Sequence, residues 1–254
     1  MKLVSWNVNG IRAAERKELS KWLKKEKPDI FCVQETKAHK EQVEDAVKAL
    51  GYEYHEWSSA VKKGYSGTAT FTNLHVLSTT KGIKIPDYDS EGRFVITEFK
   101  DFDLYNIYFP NGGSGEVRHL FKQSFLKDLH KHIQKELKQG KNLIVVGDYN
   151  IAHKEIDIHD PVKLSKESGF LPEERQWLTE FFDLGFIDTY RHLHPDVKDK
   201  YSWWNMRDYS RISNRGWRID YISISKGLLS RLKKADVMDD VEGSDHAPVM
   251  IELS

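Results

Sequence analysis

The sequence predicts an α/β protein in which mixed or antiparallel β-sheets are flanked by helices. Short runs rich in Val, Ile, Phe and Tyr alternate with stretches of helical period along the 254 residues. The apolar runs outnumber the helical stretches, and several neighbouring runs are joined without an intervening helix. Parallel neighbours need a long crossover connection, so this pattern favours sheets with antiparallel pairs over a simple βαβ repeat.

Eight apolar runs are predicted to be strands. They cover residues 2–7, 30–34, 66–72, 94–99, 104–109, 143–147, 221–225 and 248–252.

Helices are predicted between some of these strands. Leu19, Trp22 and Leu23 follow an i, i+3, i+4 pattern, and residues 43–50 repeat it before Gly51. A helix should begin at Pro172, a favoured first-turn residue, because the acidic residues that follow complement the helix dipole. A longer helix is predicted from about 116 to 139. Its inward residues are expected to be Val117, Leu120, Phe121, Phe125, Leu129, Ile133 and Leu137.

Composition excludes few functions. Lys plus Arg and Asp plus Glu both number 39, so net charge argues neither for nor against nucleic acid. The single cysteine, Cys32, cannot form an internal disulfide, which is compatible with a reducing compartment. The sequence shows no targeting pattern, no membrane-length apolar stretch and no linker. We therefore expect one domain over residues 1–254, in a monomeric cytoplasmic protein without a membrane partner.

Polar residues stand at the ends of several predicted strands. They are Asn7, Glu35, Tyr108, Asp148 and Asn150 after strands, and Asp220, Asp245 and His246 just before strands. Strands that arrive at and leave from one edge must run in opposite directions. A shared site therefore requires mixed or antiparallel sheets, which the connections indicate independently.

If these residues meet, their carboxylates repel one another and a divalent cation would relieve the repulsion. Oxygen ligands without cysteine favour Mg²⁺, with Mn²⁺ as a substitute, over zinc. Each residue alone has a plainer explanation, since a single Asp after a strand often caps a turn and an Asn near Gly often belongs to one. The joint pattern favours a shared site.

Residues 201–218, YSWWNMRDYSRISNRGWR, combine four arginines with three tryptophans and one acid. Such a mixture suits phosphate contact with base or sugar packing. The alternative is a loop whose tryptophans fill the core, with arginine stacked on them. Composition leaves both open, and the position immediately before Asp220 favours nucleic acid.

Ten motifs in chain order carry a resemblance to a known family. They are SWNVNGIR (5–12), QETK (34–37), YSGTATF (65–71), NIYFPNGG (106–113), VGDYNIAH (146–153), GFLPEERQWL (169–178), TYRHLHP (189–195), YSWW (201–204), GWRIDY (216–221) and GSDHAP (243–248). Together they resemble the exonuclease III type of AP endonuclease, within the DNase I-like endonuclease/exonuclease/phosphatase superfamily. The GWRIDY and WW elements separate the chain from the lipid and small-molecule phosphatases of that superfamily.

The resemblance implies a four-layer α/β sandwich, with two packed sheets and helices outside. It implies Mg²⁺-dependent cleavage of double-stranded DNA 5′ to abasic sites, which leaves a 3′-hydroxyl. A 3′-to-5′ exonuclease and a 3′-repair diesterase that act on 3′-blocked ends often accompany this activity.

The resemblance also implies roles for individual residues. Glu35 is similar to the family's main metal ligand, and the full set expected around the metal is Asn7, Glu35, Asp148, Asn150, Asp245 and His246. Asp148 is similar to the residue that orients or deprotonates the attacking water, with Asn150 beside it. Tyr108 is similar to a tyrosine that lies against the phosphate and helps the leaving oxygen. Asp220 is similar to the carboxylate that orients an imidazole, here His246. The set expected to bind DNA is Asn111, Trp203, Trp204, Arg211, Trp217 and Ile219.

Two positions depart from the family pattern. Asn9 stands where some members carry Asp, which removes one charge from a second metal site. Ser114 stands where some members carry an Arg that inserts into DNA, which leaves the balance of exonuclease and endonuclease activity open.

Two other functions compete with a DNA repair phosphodiesterase. A hydrolase of small phosphoesters or phospholipids would share the metal site but gain nothing from Arg207, Arg211 and Trp217. A non-catalytic DNA-binding module would have no use for both Glu35 and Asp148.

Overall fold

The computed structural model describes residues 1–206 and 209–254, and within these ranges two six-stranded sheets pack face to face. In the first sheet β1 and β2 are parallel, and every other neighbouring pair is antiparallel. Its strands, in spatial order, are β13 (Leu232–Val237), β14 (Val249–Leu253), β1 (Lys2–Asn7), β2 (Ile30–Gln34), β4 (Thr68–Thr72) and β3 (Tyr54–Ser58).

The second sheet repeats this plan. Here β7 and β8 form the parallel pair, and their neighbours are antiparallel. Its strands, in spatial order, are β5 (Ser78–Thr80), β6 (Phe94–Glu98), β7 (Asp103–Tyr108), β8 (Leu143–Asp148), β12 (Asp220–Ser225) and β9 (Phe186–Asp188). A short antiparallel pair joins β10 (Trp203–Trp204) to β11 (Gly216–Trp217).

Helices cover the outer faces of both sheets. They are α1 (Ile11–Arg16), α2 (Leu19–Glu26), α3 (Asp45–Ala49), α4 (Pro86–Asp89), α5 (Glu116–Leu137) and α6 (Pro172–Asp183). A further helix, α7 (Thr189–Leu193), places Tyr190 in the apolar cluster between the sheets. One apolar cluster lies between the two sheets and includes Leu3, Ile30, Ile144 and Ile222. A second packs the first sheet against α1, α2 and α3, and a third packs the second sheet against α5 and α6. The four-layer α/β sandwich is therefore confirmed.

Central strands are apolar on both faces because each face is covered. Every residue of β2, IFCVQ, is buried, and so is every residue of β8, LIVVGD. Strands enclosed in this way appear in a sequence as continuous apolar runs rather than as alternating ones. This is why these two strands were predicted with correct or nearly correct ends.

Some predicted details were wrong. The helix expected over 43–50 is limited to Asp45–Ala49. On α5, Phe125, Leu129 and Ile133 are buried as predicted, but Val117 and Leu120 are 81% and 56% exposed. Within the described part of the chain, no helix has the length and apolarity that a membrane crossing would need.

Candidate active site

The two parallel strand pairs deliver polar side chains to one rim of the sandwich. β1 and β2 run side by side and end at Asn7 and at Gln34, directly before Glu35. β7 and β8 do the same in the second sheet and end at Tyr108 and Asp148, which face each other in register. Each sheet thus contributes two adjacent strand ends.

Antiparallel neighbours complete the rim by starting where the parallel pairs stop. β12 begins with Asp220, which lies opposite Asp148 in the register of the two strands. β14 is antiparallel to β1, and His246 lies in the segment that leads into β14. The structure therefore brings together the residues that the sequence placed at strand ends, and it does so through mixed sheets.

Asn7 links the two sheets at this rim. Its side-chain amide nitrogen donates to Glu35 Oε1 and to Asp148 Oδ2, both at 2.9 Å. Its side-chain oxygen accepts the backbone N–H of Asn9 at 3.0 Å. The buried amide therefore separates two carboxylates and partly offsets their repulsion.

Glu35 is held in its ionised form. Lys37 Nζ lies 2.8 Å from Glu35 Oε2 and also contacts the side-chain oxygen of Asn9. Burial alone would raise the pKa of Glu35, but the charge of Lys37 and the hydrogen bonds from Lys37 and Asn7 outweigh it and hold this pKa below its ordinary value. The backbone of Glu35 is left-handed, with φ 51°, a strained conformation that recurs at functional sites.

The pKa of Asp148 is raised, whereas that of Glu35 is lowered. Burial, together with the charges of Asp220 and Glu35, raises its pKa to about 7 against the opposing effects of His246 and Asn150. Asn150 donates its backbone N–H to Asp148 Oδ1 at 2.8 Å and its side-chain N–H to Oδ2 at 3.2 Å. A fixed carboxyl whose pKa lies near neutral pH is suited to proton exchange with water.

His246 forms an ion pair with Asp220. Its Nδ1 lies 2.9 Å from Asp220 Oδ2, and its Nε2 lies 3.8 Å from Asp148 Oδ2. Burial would lower the pKa of the imidazole, but the charges of Asp220 and Asp148 outweigh it and raise this pKa to about 10. Ser202 holds the pair in place, because its hydroxyl donates to Asp220 Oδ2 at 2.7 Å.

Tyr108 lies beside the carboxylates. Burial and the charges of Glu35 and Asp148 raise the pKa of its phenol well above the ordinary value, so the hydroxyl keeps its proton. The buried Arg93 donates to the carbonyl of Tyr108 at 2.8 Å, and its guanidinium lies 5.0 Å from the ring centroid. The phenol is thus a fixed, protonated donor.

A cleft of about 600 Å³ opens over these residues. Its polar end contains Glu35, Tyr108, Asp148 and His246, and its apolar wall includes Trp203, Trp217 and Ile219. The two tryptophan rings meet edge to face at 6.1 Å between centroids.

Asn111 also lines the cleft, where it donates to Asn150 Oδ1 at 3.0 Å and accepts the N–H of Gly113. Asn111 therefore also makes the turn hydrogen bond that is typical of an Asn near Gly.

The donor set fits a hard divalent cation. Within the described residues, Glu35, Asp148 and His246 offer ligand atoms that all lie within 4.8 Å of one another. Carboxylate oxygens suit Mg²⁺ or Mn²⁺, and the assignment of His246 as a ligand stays a prediction. In this arrangement Asn7 and Asn150 present amide nitrogens to the carboxylates, so both act here as donors. Their assignment as ligands stays a prediction.

Asp245 also lines the cleft. It accepts hydrogen bonds from Asn9 at 2.8 Å and from the indole N–H of Trp203 at 3.2 Å. Burial would raise the pKa of Asp245, but the charge of His246 and these hydrogen bonds outweigh it and lower this pKa. Its ligand role also stays a prediction.

Trp204 and Arg211 do not line the cleft. Trp204 is 3% exposed and belongs to the core between the sheets. The guanidinium of Arg211 stacks 4.5 Å from the centroid of Trp204 and donates to the carbonyls of Asp239, Val241 and Ser244. The expectation of direct DNA contact is corrected for Trp204, because its ring is buried in the core. The DNA contact expected of Arg211, which is partly exposed, stays a prediction.

Arg218 is also structural. It is 1% exposed and pairs with Asp157 at 2.8 Å and with Asp188 at 2.7 Å, so it cannot reach a phosphate. Arg215 lines the cleft. Arg207 lies outside the described residues.

Sequence reasoning missed several residues that shape the site. Lys37 stands two residues after Glu35 in QETK, and a cation so close to the main carboxylate was a usable signal. Ser202, Arg93 and the buried residue Lys122 gave no such signal, because their partners are distant in the chain.

The fold and this site agree with the comparisons to known proteins. The chain belongs to the endonuclease/exonuclease/phosphatase family, whose model matches residues 4–246. The resemblance to AP endonucleases of the exonuclease III type is confirmed.

Three similar proteins illustrate the relationship. The exodeoxyribonuclease of Bacillus subtilis is 42% identical over 256 residues, which cover all of both chains. An AP endonuclease from Archaeoglobus fulgidus superposes with a TM-score of 0.90 at 28% identity, over 100% of this chain and 99% of that one. The 3′ phosphatase NExo from Neisseria, solved with a product DNA hairpin, superposes with a TM-score of 0.91 at 27% identity over the same shares.

Proposed function

We propose that this chain cleaves the DNA backbone 5′ to abasic sites and leaves a 3′-hydroxyl, with the residue roles and the metal described below. Its class is a DNA repair nuclease. The observation that carries the proposal is the convergence of Glu35, Asp148 and His246 within 4.8 Å at the end of one cleft. The names of the similar proteins, an exodeoxyribonuclease, an AP endonuclease and a 3′ phosphatase, support DNA as the substrate.

The family is metal-dependent, and we propose Mg²⁺, replaceable by Mn²⁺, as the cation. Glu35 would be its main ligand, with Asp245 nearby. The cation would neutralise charge on the phosphate as a Lewis acid.

Asp148 is proposed as the general base. Its carboxylate takes a proton from the attacking water while the water oxygen forms a bond to phosphorus. The hydrogen bonds from Asn150 fix the carboxylate, and a pKa near 7 lets it accept a proton and release it again.

Other residues donate a hydrogen bond to the phosphate and a proton to the leaving oxygen. The protonated His246 donates from Nε2 to a phosphate oxygen, and Asp220 stabilises that positive charge. As the bond between phosphorus and the 3′ oxygen breaks, that oxygen receives a proton from the phenol of Tyr108.

Selectivity for abasic sites comes from the apolar wall formed by Trp203, Trp217 and Ile219. A nucleotide without a base has little stacking to lose when it leaves the duplex, so a pocket that accepts a bare sugar selects it cheaply. The same cleft can take a 3′-terminal nucleotide, which accounts for the 3′-to-5′ exonuclease and 3′-repair diesterase activities that we also propose.

One incubation tests the reaction. Purified protein is mixed with duplex DNA that bears one abasic analogue, with Mg²⁺ or with EDTA, and the ends of the products are mapped. We expect a single incision 5′ to the analogue, a 3′-hydroxyl end and no reaction with EDTA. Incision that persists in EDTA would refute the metal mechanism.

Variants separate catalysis from binding. Glu35→Ala and Asp148→Ala should each abolish incision but preserve DNA binding in a gel-shift assay. Asp103→Asn is the matched control, because Asp103 lies at the opposite end of β7 and pairs with Lys141. Unchanged incision by both site variants would defeat the enzymatic proposal and favour a DNA-binding module.

A further inference from the structure

A fully buried ion pair lies beside Asn150, in the loop that follows β8. Lys122 of α5 and Glu174 of α6 are both 0% exposed, and their charged atoms are 2.6 Å apart. Removing two charges from water is costly, and apolar replacement of such pairs is often neutral or stabilising. Stability is therefore a weak reason for this pair to be here, and its other contacts matter more.

The lysine supports the backbone of Asn150. Lys122 Nζ donates to the carbonyl oxygen of Asn150 at 2.8 Å. Asn150 has a left-handed backbone, with φ 52°, and both its backbone and its side-chain N–H groups donate to Asp148. A strained conformation of this kind persists only when its surroundings hold it. The ammonium thus fixes the residue that orients the carboxylate of Asp148.

The glutamate supports the adjacent wall of the cleft. Glu174 Oε2 accepts the backbone N–H groups of Gly169 and Leu171. The carbonyl of Gly169 accepts the N–H of Ala152 at 2.8 Å, which ties this wall to the loop that follows Asp148. A Cβ atom on Gly169 would lie 3.1 Å from the Asn150 carbonyl and 3.2 Å from the Trp217 ring. The contact between loop and wall is therefore close.

We propose that Lys122 is a positioning residue for Asp148, acting through Asn150, and that Glu174 couples it to the segment at Gly169 that lies against Trp217. The inference rests on the proposed function, because it assigns the pair to the alignment of that reaction. Neither side chain reaches the substrate. A displacement of about 1 Å at reacting groups can reduce a rate by about 10²-fold, so loss of this support should affect turnover.

The test uses the double variant Lys122→Met/Glu174→Gln. It removes both charges, keeps side chains of similar length and leaves an amide oxygen that can accept from Gly169. We expect kcat for an abasic duplex to fall about 10- to 100-fold while KM changes less than about threefold. The single variant Glu174→Gln keeps the lysine and its bond to Asn150 but removes the charge that pairs with it, so its kcat should fall less than that of the double variant.

A control variant separates positioning from lost stability. Leu129→Ala removes a fully buried side chain of the same helix, α5, from the apolar cluster on the outer face of the second sheet. It should lower the urea midpoint at least as much as the double variant but leave kcat unchanged.

Wild-type kcat in a folded double variant, or an equal loss of kcat in Leu129→Ala, would overturn the inference. Failure of both pair variants to fold would assign the pair to folding and overturn it as well. Failure of the proposed function would be visible in the wild type itself, as absence of incision.

Discussion

At the scale of single residues, Asp148 shows how burial changes the chemistry of a carboxyl group. Its pKa of about 7 follows from burial beside other acids, and Asn150 fixes both of its oxygens. Asp148→Asn keeps the shape but cannot accept a proton, so we expect kcat on an abasic duplex to fall by about 10²–10⁴-fold. Single-turnover incision with saturating protein measures this, and a loss below tenfold would show that another group is the base.

His246 depends on Asp220 for its charge. Removing a neighbouring carboxylate lowers the pKa of an imidazole, so Asp220→Asn should bring the pKa of His246 down from about 10. At pH 8 the variant should then hold less positive charge against the phosphate, and its kcat should drop by about tenfold or more. NMR titration of the His246 ring in the metal-free protein measures the pKa directly. An unchanged pKa would contradict this account of the pair.

The polar members of the site were predictable because they follow or precede apolar runs. Glu35, Asp148 and Asp220 carry that signal in the sequence itself. The roles of Ser202 and Arg93 could not be predicted in this way, because each acts through a hydrogen bond to a residue at least 15 positions away. Trp204 was predicted wrongly, because composition cannot distinguish a tryptophan that stacks on a base from one that packs in the core.

At the scale of elements, the closeness of β7 and β8 is set by Gly147. Its φ is 138°, and a Cβ atom there would lie 1.9 Å from the carbonyl oxygen of Ile107. Gly147→Ala should therefore combine backbone strain with a clash and destabilise the protein by about 3–5 kcal/mol in urea unfolding. Gly185→Ala is the matched control: its φ is 114° and open space surrounds it, so it should cost about 1–2 kcal/mol. Equal losses in the two variants would argue against the close approach.

Edge strands were the elements that the sequence pattern did not predict. β13, LKKADV, carries two exposed lysines, and β5, STT, is three residues long. Edge strands that are short or charged pair less readily with other chains. Because of the same features, such strands lack the apolar run from which a strand is predicted. The exposed Val117 and Leu120 have a related explanation, because helical period shows a face but cannot show where its packing partner ends.

At the scale of the whole molecule, a buried network of ion pairs connects the segment at Asp157 to Arg218, which precedes β12, and to the region of β9. Asp157 is 0% exposed and lies 2.8 Å from both Arg218 and Arg191. Arg218, which lies between the end of β11 and the start of β12, also pairs with Asp188 of β9. The network thus connects three distant parts of the chain, and none of these pairings could be inferred from spacing along the sequence.

This network makes stability depend on pH in a definite direction. Burial alone would raise the pKa of Asp157, but the charges of Arg218 and Arg191 outweigh it and lower this pKa from 3.8 to about 2. A carboxyl with a lowered folded-state pKa contributes stability above its unfolded pKa and loses it as pH falls through the folded value, an effect of about 2 kcal/mol here.

The variant Asp157→Asn should therefore be less stable than the wild type by about 3 kcal/mol at pH 7, because it leaves buried arginines without their shared acceptor charge. The difference should be constant down to about pH 5 and should narrow between about pH 4 and pH 2 as the wild-type carboxyl becomes protonated. Urea unfolding of both proteins across this range measures it. Asp101→Asn, which removes an exposed partner of Arg231, should show a difference near zero at every pH. A gap for Asp157→Asn that stays constant to pH 2 would mean that the ion pairs do not set the stability of this part of the fold.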